Sequence, residues 1–246
     1  MADRSNGYEG VAAEFLAGRG RAPSSAVGAR FIRNWARTLP PGATVLDLGC
    51  GSGLPITNVL VGEGLNVYAV DASPSLVEAF RKNFPQTPVA CESVEDSPFF
   101  GRMFDAVLAW GLIFLLPAQE QRRLIQRVAT ILVPKGRFLF TSCAGTEPLV
   151  WNDAMTGLES RSLGAAEYRR ELSAVGLSRI AEFEDEGENH YFDAVKNGID
   201  EKTPSRERLR HAKAHDVGPI IGRIALPGGR SQQPRGKHPR AATIYA

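Results

Sequence analysis

Cysteine is scarce in this chain. Cys50, Cys91 and Cys143 stand far apart and are odd in number. That excludes a disulfide framework and offers no zinc-ligand spacing. A reducing cytoplasm is the expected setting. Histidine is also rare: of four, only His190 precedes residue 200. No run reaches the roughly 18 apolar residues of a membrane-spanning helix, so no membrane association is expected. The opening MADRSNGYEG lacks the basic-then-apolar order of a signal peptide. No Gly-Lys-Ser/Thr follows a glycine-rich turn, which removes the Walker-type phosphate loop.

What is present is an ordinary globular composition. With 246 residues, 43% hydrophobic and 23% charged, the chain can bury a substantial core. Its net charge of +2 conceals an asymmetry. The last 46 residues carry 10 Lys+Arg against 3 Asp+Glu, whereas the first 200 carry 19 against 24. Five Gly and five Pro also punctuate that end. Residues 199–246 are therefore expected to form a basic, disordered tail. The acidic remainder argues against a long nucleic-acid footprint.

Apolar periodicity organises the rest. Residues 1–40 read as two helices, Tyr8–Ala17 and Ser24–Thr38, the second stopped by Pro40-Pro41. Strand-like runs then alternate with helical patterns. The strands are Thr44–Leu48, Asn66–Val70, Thr87–Cys91, Phe104–Trp110 and Arg137–Ser142. Between them lie helices at Leu54–Glu63, Pro74–Asn83 and Ala118–Leu132. This alternation predicts a Rossmann-like, doubly wound α/β fold with a mostly parallel sheet. A helix near Ala165–Val175 follows, then the runs Leu177–Glu184 and Asn189–Lys196, which read as an antiparallel hairpin at the sheet edge. The sheet then has seven strands.

One motif carries chemical information. Strand one and its turn read Val45-Leu46-Asp47-Leu48-Gly49-Cys50-Gly51-Ser52-Gly53. Glycines at alternate positions let backbone approach a bulky ligand where a Cβ would clash. In open α/β sheets such ligands sit at the carboxyl ends of the strands. The spacing is G-x-G-x-G, whereas a dinucleotide fingerprint needs G-x-G-x-x-G. An acid, Asp71, ends strand two, twenty residues beyond Gly51.

VLDLGCGSG resembles the first motif of class I S-adenosylmethionine-dependent methyltransferases of the small-molecule type. Three further segments resemble later motifs of that family in the right order: VYAVDAS (Val67–Ser73), FDAVLAWGLIFLLP (Phe104–Pro117) and LVPKGRFLFTS (Leu132–Ser142). The resemblance implies a helical lid at 1–40, a cofactor-binding domain at 41–198, and S-adenosylmethionine as cofactor. It places Gly49, Cys50, Gly51 and Gly53 under the methionine part, with Asp47 beneath them. Asp71 would accept from both ribose hydroxyls, which suits the two oxygens of a carboxylate. Ala72 and Val94 would flank the adenine. Many relatives carry Asp where Ser93 stands here; serine can accept from the adenine amine without charge assistance. Glu92 is the alternative if the register slips by one. Trp110 would face the sulfonium.

No catalytic base announces itself. Tyr8, in a segment resembling the family lid, and His190 are the candidates. The acceptor is expected to be a small molecule methylated at oxygen or nitrogen. No Asn/Asp-Pro-Pro-Tyr/Phe follows strand four, and no metal cluster is in view. A SAM-binding sensor or partner subunit without turnover is the second reading, since fold alone does not prove activity. RNA methylation, with the basic tail as anchor, and a nicotinamide-dependent dehydrogenase stand behind it.

Overall fold

The computed structural model describes residues 3–18 and 28–198. The expected tail and part of the N-terminal helical region lie outside them. The described elements begin with two short helices, α1 (Ala12–Ala17) and α2 (Ala29–Ala36). Then come β1 (Thr44–Leu48), α3 (Ile56–Gly62), β2 (Asn66–Asp71), α4 (Pro74–Asn83) and β3 (Val89–Cys91). They are followed by β4 (Phe104–Ala109), α5 (Ala118–Ile131) and β5 (Leu132–Ser142). The chain continues through β6 (Leu149–Asn152), β7 (Glu159–Ser162), α6 (Ala165–Ala174), β8 (Leu177–Glu184) and β9 (His190–Lys196).

Seven strands form one sheet in the order β3-β2-β1-β4-β5-β9-β8. The first five run parallel, and β9 and β8 pair antiparallel at the edge. Helices cover both faces, so the central strands are apolar on both sides. The period-two alternation of side chains divides them. Leu46, Val107 and Phe138 face α5 and α6, meeting Leu124, Val128 and Leu172. Val45, Leu108 and Leu139 face the opposite layer, meeting Ile32, Trp35, Val59 and Leu60. Ser73 caps α4, its Oγ accepting from the Leu76 N–H at 3.2 Å, with Pro74 at the first helical position.

Three departures from the sequence expectation have physical reasons. The run from Leu132 belongs to β5: Phe104 pairs with Leu132, then Ala106 with Arg137, and the Pro134-Lys135-Gly136 turn is a bulge inside the strand. The N-terminal helix starts at Ala12, not Tyr8, because Asn6 and Gly7 both adopt positive φ (51° and 83°). The Asp3 carboxylate holds that turn, accepting from the backbone N–H groups of Ser5 and Gly7. Finally, β6 and β7 form a separate antiparallel hairpin that the sequence did not announce. Its second strand, Glu-Ser-Arg-Ser, carries no apolar alternation.

A buried polar network fastens this hairpin to the main sheet. The Ser142 hydroxyl donates to Tyr168 (3.0 Å) and accepts from the Ser162 hydroxyl (3.1 Å), and Tyr168 donates to Gln121 Oε1 (2.6 Å). The Gln121 amide then donates to the carbonyls of Leu116 and Arg161. Buried polar groups connected in this way fix one arrangement, because any broken member is left without a partner.

Candidate functional site

A cleft partly open to solvent lies at the carboxyl ends of β1, β2 and β4. This is the point where the strand order reverses, between β1 and β4. Its floor is the glycine turn after β1. Gly49 and Gly51 hold φ of 70° and 54°, a region that L side chains avoid. The Gly49 and Cys50 amides donate to the Val70 carbonyl, at 2.8 and 3.2 Å. The Gly51 amide donates to Asp71 Oδ2 at 2.8 Å. A Cβ on Gly51 would lie 3.4 Å from the Phe15 ring, and one on Gly49 would lie 3.1 Å from Leu112.

Two buried carboxylates stand on this floor. Asp71 Oδ1 accepts from the Ser73 amide at 2.9 Å. Burial raises its pKa, opposed by the Ser73 and Gly51 amides. Each oxygen keeps a lone-pair direction for a further donor. Asp47 accepts the Thr57 hydroxyl at 2.6 Å. Burial pushes its pKa up to about 7, against the pull of Thr57, and the neighbouring Asp71 charge adds to the rise.

The roof is the segment Asp3–Ala17, a strap fastened at three places. Arg4 pairs with Asp96 (3.0 Å) and Glu95 (3.6 Å). Glu9 accepts from the Ser73 and Ser75 hydroxyls and the Ser75 amide, which lowers its pKa. The Tyr8 hydroxyl donates to Asp153 Oδ2 at 3.3 Å, on the turn between β6 and β7. Tyr8 and Phe15 meet edge to face at 6.0 Å. Across the cleft, the Trp110 indole N–H donates to the Tyr191 hydroxyl at 3.1 Å, and Tyr191 donates to Asp185 at 2.7 Å, which fixes the ring.

Of the residues expected from sequence, Asp47, Gly49, Cys50, Gly51, Asp71, Ala72, Val94, Trp110 and Tyr8 line this cleft. Three do not. Gly53 is a packing glycine: a Cβ there would sit 2.3 Å from Phe84, on α4 side of the turn. Ser93 closes its own loop, donating to Asp96 Oδ2 at 3.1 Å. His190 stands on β9 between Glu182 (2.9 Å) and Glu184 (3.3 Å) and packs edge-on to Phe192. The sequence reading passed over Arg4, Asn6, Phe15 and Glu95, which do line the cleft. The amphipathic pattern of Tyr8–Ala17 hinted at Phe15 alone.

Residues 45–136 match a family profile described as a methyltransferase domain. This segment carries the glycine turn, Asp71 and Trp110. An uncharacterized methyltransferase of Mycobacterium tuberculosis is 37% identical over 111 residues, 44% of this chain and 39% of that one. A ubiquinone biosynthesis O-methyltransferase of Xanthomonas axonopodis is 30% identical over 166 residues, 65% of this chain and 60% of that one. The chain thus spans about two to three fifths of the length of these relatives. The sugar N-methyltransferase KedS8 from a Streptoalloteichus species shares the fold, with a TM-score of 0.58 at 22% identity over 75% of this chain and 92% of that one. The matched segment ends before β6, so the hairpin and the strap both lie outside it. No helix among the described residues is long and apolar enough to cross a membrane.

Proposed function

We propose that this chain is an S-adenosylmethionine-dependent methyltransferase that methylates an oxygen or nitrogen of a small molecule in the cytoplasm. The observation that carries this reading is the cleft at the β1/β4 reversal, where Asp47, Gly51 and Asp71 converge beneath the strap. The donor set suits the cofactor. Gly49, Cys50 and Gly51 leave room for its amino-acid part, and Asp47 offers a carboxylate to the ammonium. Asp71 offers two oxygens to a vicinal diol. Ala72 and Val94 give an apolar slot for the adenine, and Glu95, not Ser93, supplies the polar rim there. A buried amide nitrogen on Asn6, in the cleft wall and without a hydrogen-bond partner, also fits an occupant that accepts.

When bound, the cofactor supplies a methyl group already activated on a sulfonium. The chain's residues have the remaining tasks of alignment and exclusion of water. Phe15 and Tyr8 roof the cleft, while Leu112, Leu115 and Leu116 wall its far side. This apolar remainder suits an acceptor with a flat or apolar body. Trp110 is held in place through Tyr191 and presents its ring to the cleft, where a cation is favoured. Tyr8 lines the cleft with its hydroxyl held on Asp153.

The test is calorimetric titration of the purified chain with S-adenosylhomocysteine, with NADH as control. Saturable micromolar binding of the first alone is expected, followed by transfer from labelled cofactor to a member of a metabolite panel. Absence of binding refutes the reading. Binding without transfer to any acceptor selects the sensor or partner-subunit reading instead.

A further inference from the structure

The cleft is rich in acceptors and poor in donors. Its carboxylates, Asp47 and Asp71, can only accept when ionised. Its donors are nearly all engaged. The Gly49 and Cys50 amides hold the Val70 carbonyl, and the Gly51 amide holds Asp71. The Trp110 N–H holds Tyr191, and the Tyr8 hydroxyl donates to Asp153. Asn6 is different. Its Nδ2 is buried and has no hydrogen-bond partner, and the residue lines the cleft. A buried donor left without a partner is costly, so such groups need an explanation.

The backbone supplies a second, independent observation. Asn6 has φ of 51°, in the left-handed region that asparagine tolerates, and the Asp3 carboxylate and Ser5 hydroxyl hold the turn around it. Its position is bracketed by Arg4 on the Glu95–Asp96 rim and Glu9 on Ser73 and Ser75, beside Asp71. Farther along the strap, Phe15 lies over Gly51. The strap therefore roofs the glycine turn itself.

Resting on the cofactor reading above, we propose that the Asn6 carboxamide donates to the carboxylate of the cofactor's amino-acid part. That carboxylate is the strongest acceptor the cofactor brings. The turn beneath it has directed its amides elsewhere, and Asp47 and Asp71 repel it. On the roof, Arg4 is already paired with Asp96 and Glu95 and the Ser5 hydroxyl with Asp3, whereas the Asn6 amide has no partner and provides a donor.

The experiment compares wild type with Asn6→Gly and Asn6→Asp, as full chains, by calorimetry. Glycine accepts the positive φ, so this variant loses the carboxamide without backbone strain. The ligands are S-adenosylhomocysteine and 5′-methylthioadenosine, which lacks the amino-acid carboxylate and is measured by displacement. Asn6→Gly should weaken homocysteine-adduct binding about tenfold and leave the methylthio ligand unchanged. Asn6→Asp should weaken the former further, since two carboxylates then face each other. Equal losses for both ligands, no loss for either, or an Asn6→Asp variant that binds as well as Asn6→Gly would overturn the assignment. Failure of wild type to bind S-adenosylhomocysteine would instead overturn the cofactor reading.

Discussion

Replacing Asp47 by asparagine should stabilise the ligand-free protein, and by an amount that depends on pH. Asp47 is 2% exposed, and its pKa rises from an ordinary 3.8 to about 7 because burial penalises the charged form. In the unfolded chain the group gives up its proton near pH 4. Between pH 4 and 7 the native state therefore binds more protons than the unfolded state, and stability falls as pH rises. The stabilising proton is fully present below the unfolded pKa and lost above about 7. A gap of about three pH units corresponds to about 4 kcal/mol once both forms have ionised. Asparagine keeps an oxygen for Thr57 and cannot ionise. Its advantage should be about 1 kcal/mol at pH 4.5 and about 4 kcal/mol at pH 8. For a chain of this size that contrast means roughly 6–12 °C in melting temperature. Thermal melts of both proteins at the two pH values measure it directly. An equal shift at pH 4.5 and 8 would show that Asp47 is not a desolvated acid. A ligand ammonium beside Asp47 reverses the preference, so S-adenosylhomocysteine binding at pH 6 should release a proton in wild type only. Titrations in buffers of different ionisation heat report that release.

Other substitutions address the remaining parts of the site. Asp71→Ala removes the acceptor at the end of β2 and should weaken S-adenosylhomocysteine binding by at least about tenfold; unchanged affinity in calorimetry would displace the ribose from this position. Gly51→Val forces a β-branched residue to φ of 54° and directs its side chain at Phe15. It should abolish binding while far-UV circular dichroism stays native, and normal binding would refute the close backbone approach. Glu9→Ala unfastens the strap from α4, and the dissociation rate of S-adenosylhomocysteine in stopped flow should rise severalfold; an unaltered rate would mean that the strap does not retain the ligand.

The central fold is legible because each strand is buried on both faces and each helix has one apolar side. Strand β2 and helix α4 match their expected bounds closely, helped by Ser73 and Pro74 at the cap. The β6–β7 hairpin is not legible, since its burial depends on the polar network through Ser142, Tyr168 and Gln121. The site shows the same contrast. Asp47 and Asp71 lie near the carboxyl ends of adjacent strands, so local pattern places them. Gly53 looks like its two companions in sequence, yet only tertiary packing against Phe84 distinguishes it. Glu9 finds partners 64 and 66 positions away, and Tyr8 a partner 145 away. Such pairings leave no local signal.

On the proposed function, this uneven legibility divides the site into a half for the cofactor and a half for the acceptor. The matched domain, residues 45–136, contains Asp47, the glycine turn, Asp71, Val94 and Trp110. Tyr8 and Phe15 come from before it, and Asp153 from after it. A common cofactor requires common geometry, so the first group follows a shared pattern. An acceptor that differs between relatives requires only that the strap and hairpin close against each other, which Tyr8 and Asp153 achieve with one hydrogen bond. Exchanging residues 149–162 for the matching segment of a relative should then alter which acceptors are methylated while leaving S-adenosylhomocysteine affinity within about threefold, a difference under 1 kcal/mol. A large loss of that affinity would show that the hairpin also shapes the cofactor half, and the division between the two would not hold.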